Sequence, residues 1–105
     1  MPSESEASVN TAFLLLAQYG GKAVIPIEEV CRDYFAHLTS DKFARKLAAG
    51  EIPIPVIRIE SSQKATKGVH LQDLADYIDR QRAAAAKEYR QLHGTSSPPT
   101  PAARR

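Results

Sequence analysis

Residues 27–82 read IEEVCRDYFAHLTSDKFARKLAAGEIPIPVIRIESSQKATKGVHLQDLADYIDRQR, and the hydrophobic period changes twice inside them. Ile27, Val30, Cys31, Tyr34, Phe35 and Leu38 recur at helical spacing, an apolar stripe on one helix face. Glu28 and Glu29 stand in the first turn, where the helix dipole favours negative charge. His37-Leu38-Thr39 reads as a turn, and Thr39 or Ser40 can cap a second helix over 40–49. That helix should bury Phe43, Ala44, Leu47 and Ala48 and turn Lys42, Arg45, Lys46 and Ala49 outward, until Gly50 stops it.

The next segment, Ile52 to Ile59, carries two prolines and five β-branched residues. It cannot be helical and reads as an extended lead-in followed by a strand. Glu60–Gly68 is a polar, basic loop, and Val69-His70-Leu71 supplies a returning strand. Leu71, Leu74, Ala75 and Ile78 then restore the helical period, and the alanine run 83–86 can carry this helix on towards Leu92. The order predicts a mainly α fold with a small β-wing, a winged helix–turn–helix.

Upstream, Asn10 can cap a helix over Thr11–Tyr19 that is apolar on nearly every side and ends at Gly20-Gly21. One small domain can hardly cover such a helix all round. Its outer residues, taken as Phe13, Leu14, Leu15 and Leu16, are therefore expected to meet a second copy of the chain, with the C-terminal helix as the next choice. Ala23–Ile25 reads as a short extended piece. The segments 1–9 and 94–105 hold no large apolar run and are expected to be mobile tails around a domain at 10–93.

The chain has 105 residues, a formal charge of +2 and a pI near 8.8. Bulk charge alone does not argue for nucleic acid, but its distribution does. Between Thr39 and His70, six cations (Lys42, Arg45, Lys46, Arg58, Lys64, Lys67) face three anions (Asp41, Glu51, Glu60), so the local surplus exceeds the total. A cationic helix face is usually only a solvated face; adjoining a basic loop in this element order, it points to double-stranded DNA.

Arg45 is the candidate base reader, because its planar fork can bond guanine O6 and N7 together. Lys42 and Lys46 suit bases or phosphates, and Thr39 and Ser40 suit a phosphate near the helix N-terminus. Arg58, Ser61, Ser62, Gln63, Lys64, Thr66 and Lys67 suit a wing that follows the backbone or enters the minor groove. Ten helical residues rise about 15 Å, which fits a major groove about 12 Å wide.

Other chemistries find little support. Cys31 lies on the apolar stripe and reads as a core thiol. A single cysteine allows no internal disulfide and fits a reducing cytoplasm. His37, His70 and His93 have no metal-ligand spacing, Gly20-Gly21 lacks the rest of a phosphate loop, and no nucleophile or carboxylate-pair pattern is present. No enzyme, metal, cofactor, signal peptide or membrane span is expected.

The runs NTAFLLLAQYGGKAVIPIEEVCRDYF and KFARKLAAGEIPIPVIRIESSQKATKGVHLQDLADYIDRQR resemble the pyocin activator protein family, PrtN. The motifs are AQYGG, EEVCRDYF and the SQK…KGVHL…LADYID segment, and the resemblance spans Asn10 to about Gly94. More loosely, the wing and following helix are similar to excisionase-type and MerR-type modules. The family resemblance implies a bacterial transcription activator that binds short repeated boxes upstream of bacteriocin (pyocin) genes after DNA damage, with RNA polymerase as a further partner. So few cations on one module imply a homodimer or a cooperative oligomer on those boxes. An excisionase-like protein that bends DNA, and an adaptor whose basic face meets an acidic protein, remain alternatives.

Overall fold

The computed structural model describes residues 10–61 and 66–93. The tail expectations for 1–9 and 94–105 lie outside the described residues. Helix α1 (Thr11–Gln18) is capped by Asn10, whose side chain accepts from the Phe13 N–H at 2.9 Å. Strand β1 (Val24–Pro26) leads directly into α2 (Ile27–Tyr34), and a turn leads to α3 (Ser40–Ala48). Strands β2 (Ile57–Arg58) and β3 (Lys67–His70) follow, then α4 (Leu71–His93).

The β-wing is larger in one direction and smaller in another than the sequence predicts. The sheet has three strands in the order β1-β3-β2, both pairings antiparallel. The piece read as merely extended before α2 is thus an edge strand, with Ile25 opposite Val69. The residues Ile52 to Val56 are not strand: Pro53 and Pro55 lack the N–H that a ladder needs, and Ile52 and Ile54 turn into the core. The returning strand begins at Lys67 instead of Val69, and Leu71 already opens α4. Gly68 is required at the middle strand. A Cβ there would lie 2.6 Å from the Ile25 carbonyl oxygen and 2.7 Å from Val24 Cγ1.

Phe43, Ile25, Leu74, Val30 and Val69 are the largest fully buried side chains. The apolar stripe of α2 buries Ile27, Val30, Cys31 and Phe35, yet the helix stops at Tyr34 and Phe35 is its C-cap. Periodicity places Ile27, Val30, Cys31 and Phe35 correctly, but it also puts Tyr34 inside, where the structure leaves it 39 % exposed, and it overruns the helix end because Phe35 and Leu38 reach the same core from the turn. Phe35 stacks on Phe43 at 4.6 Å between ring centroids, which clamps α2 to α3. The Cys31 thiol donates to the Leu38 carbonyl at 3.3 Å and to that of Phe35 at 3.5 Å, closing this turn from inside.

Helix α1 lies on α4, where the Thr11 hydroxyl donates to Asp79 at 2.6 Å. A polar cluster ties its other end to α2. The Tyr19 hydroxyl donates to Asp33 at 2.7 Å and the Tyr34 hydroxyl to Gln18 at 2.8 Å. Leu15 is 2 % exposed, against the expectation that it faces a partner. Its side of α1 is the one that α4 covers, whereas Phe13, Leu14 and Leu16 stay exposed.

Candidate nucleic-acid interface

The Thr39 side chain accepts from the Lys42 N–H at 3.1 Å, with Thr39 backbone extended at ψ 160°. This cap starts α3 without a further turn and fixes its rotation. The oxygen of Thr39 is occupied as an acceptor, while its O–H remains a donor beside the helix N-terminus. Phe43 and Leu47 hold the inner face in the core.

At about 100° per residue, Arg45 stands opposite the midpoint of Phe43 and Leu47. It is exposed, as are Lys42, Ala49 and Asp41 around it. Lys46 departs from the expected arrangement. It lies on the flank, half-buried, and its Nζ pairs with Glu51 at 3.1 Å. The outward face is therefore centred on Arg45, flanked by Lys42. Ala48, expected inside, is exposed because it sits slightly more than a quarter-turn beyond Leu47, on the side that faces the wing.

The wing stands beside α3. One groove between them is lined by Ser40, Asp41, Ala44, Thr66 and Lys67, with Glu28 of α2 at its edge. A second runs along Ala44, Ala48, Pro55, Arg58 and Lys67. Arg58 and Lys67 are directly opposite each other across β2 and β3. In an antiparallel pair, such residues point to the same face, and like charges there repel. Neither cation has an ion-pair partner among the described residues. The hairpin continues one step further, with the Ile59 N–H donating to the Thr66 carbonyl at 3.2 Å. Thr66 and Ser61 are exposed on its arms; Ser62, Gln63 and Lys64 lie outside the described residues.

Thus Thr39, Ser40, Lys42, Arg45, Arg58, Thr66 and Lys67 are gathered at α3 and the adjoining wing. Three further residues belong to this surface that the sequence did not single out. Glu28 and Asp41 make the first groove partly acidic, whereas the second is lined by Arg58 and Lys67 with no carboxylate, which favours an anion there. The sequence marks Glu28 as a first-turn carboxylate and Asp41 as one of three anions between Thr39 and His70, and no sequence signal places either against the wing. Ile59 is 63 % exposed on the wing arm; the β-branched run around it gave every reason to place it inside. Among the described residues, no three His, Cys, Asp or Glu side chains are grouped to hold a metal ion, and no helix is long and apolar enough to cross a membrane.

A capped helix after a turn, its exposed face centred on arginine, beside an antiparallel hairpin, defines a mainly helical helix–turn–helix protein with a β-wing. The family model described as "Pyocin activator protein PrtN" matches residues 11–85, and the chain belongs to that family. Membership supports a transcription-activator role at pyocin genes and argues against an enzyme. Comparisons with curated proteins and with solved structures gave no match.

Proposed function

We propose that the protein activates pyocin genes by binding double-stranded DNA sequence-specifically. Helix α3 enters the major groove, and the wing at 60–68 follows the backbone or the adjacent minor groove. Arg45 reads a base edge, Lys42 and Ser40 hold bases or phosphate, and Arg58 and Lys67 grip phosphate. Lys46 contributes only after releasing Glu51. The observation that carries this reading is the Arg58–Lys67 pair beside α3. Two exposed cations placed directly opposite each other cost stability in the free protein, and an anion between them removes that cost.

The protein works in the cytoplasm as a homodimer or cooperative array on repeated promoter boxes, and it contacts RNA polymerase. One module with this few cations binds too weakly to hold a box alone. Footprinting beside in vitro transcription tests the proposal, with protected repeats and added transcript as the expected result. Protection without added transcript would favour a DNA-bending role instead. Binding to duplex that is indifferent to salt would remove phosphate as the ligand and leave an acidic protein partner.

A further inference from the structure

Residues 81–93 of α4 are exposed along their whole length. An isolated helix of this length is marginal in water even when rich in alanine. Tyr89 and Leu92 are 58 % and 73 % exposed on it. At the root of this extension lies a largely apolar pocket of about 280 Å³, lined by Tyr34, Phe35, His37, Tyr77, Ile78 and Gln81. It opens on a different side of α4 from Asp79, which bonds α1.

The helical period connects pocket and extension. Ile78, Gln81, Ala85, Glu88 and Leu92 are spaced 3, 4, 3 and 4 residues apart, so the side of α4 that lines the pocket continues along the free half as one stripe. We infer that this stripe is the self-association surface: α4 of a second copy lies antiparallel along it, crossing at Ala85. In that register Leu92 of each copy comes opposite Ile78 of the other, at the pocket mouth. Tyr89 comes opposite Gln81, and Arg82 comes opposite Glu88. Neither Arg82 nor Glu88 has an ion-pair partner among the described residues. The small side chains Ala84, Ala85 and Ala86 stand at the crossing, where the backbones come closest. The twofold axis makes every contact twice.

The inference deepens the dimer part of the proposed function and moves the interface from the exposed face of α1 to α4. It is tested without DNA, so its failure is separable from failure of the DNA reading. Ala85→Cys sits on the axis and should oxidise to a covalent dimer, with Cys31 buried and silent. Lys87→Cys, on the opposite side of α4, should not, and neither should Leu16→Cys on α1. The Glu88→Arg protein should shift to monomer mass in sedimentation equilibrium at least tenfold more readily than the parent. The Arg82→Glu/Glu88→Arg double exchange should restore the dimer, because residues six apart on one helix do not pair with each other. Cross-linking through Leu16→Cys but not Ala85→Cys, a monomer at all concentrations, or no rescue by the double exchange would each overturn it.

Discussion

Replacing Arg58 and Lys67 by glutamine keeps their stems and removes their charge. If each holds one phosphate, the double variant loses two contacts. The slope of log affinity against log salt then flattens by about 1.8, at about 0.9 per contact on B-form DNA. Between 50 and 200 mM salt, a fourfold change, the parent should lose affinity about 12-fold more than the variant. The same substitution acts oppositely on the fold. The two cations face each other in register, so removing the repulsion should leave stability unchanged or raise it by about 0.2 kcal/mol, the low end for exposed, screened charges. Fluorescence titrations of a labelled duplex across a salt series, alongside urea denaturation, read both quantities. An unchanged salt slope would show that this edge of the wing never meets phosphate. A stability loss above about 1 kcal/mol would show that the pair serves the fold rather than a ligand.

Gly68→Ala should destabilise the protein by about 1–3 kcal/mol in chemical denaturation, since the added methyl group meets the Ile25 carbonyl and Val24; a neutral result would mean that β1 yields easily. Leu15→Asp should unfold the chain as judged by circular dichroism, because it puts a carboxylate into the core; a folded monomer would restore Leu15 to an interface. The Arg32 guanidinium and then the Tyr19 hydroxyl hold the Asp33 carboxyl below its usual range. A lowered folded-state pKa gives stability that is present above the ordinary carboxylate pKa, about 4, and is lost as pH falls through the lowered value. Asp33→Asn should therefore flatten the acid limb of the stability profile and leave a weaker α1–α2 junction at neutral pH; an unaltered acid limb would remove Asp33 from that role.

The sequence made the helical order legible because each helix carries its own period and its own cap. Asn10 and Thr39 cap as their residue types predict. What it left open depends on contacts between distant segments. Nothing local marks Val24–Pro26 as the strand that pairs with 68–70, and Pro26 even argues against it. Leu15 and Phe13 belong to one apolar run, and only α4 decides which of them is covered. Lys46 looked equivalent to Lys42 by composition; Glu51, just past Gly50, draws it aside. Arg58 is recognisable as a cation, but its alignment with Lys67 needs the register of the hairpin, which no local sequence signal announces.

Helix α3 is proposed to read bases through the face centred on Arg45. The most direct measurement is the affinity of the parent and of Arg45→Ala for a set of duplexes that vary one base pair at a time across a protected box. Loss of discrimination at a single base pair, at a cost of about 1–3 kcal/mol, with the other positions still discriminated, is the predicted outcome. An equal loss for every duplex would contradict it and remove α3 from the role of reading helix.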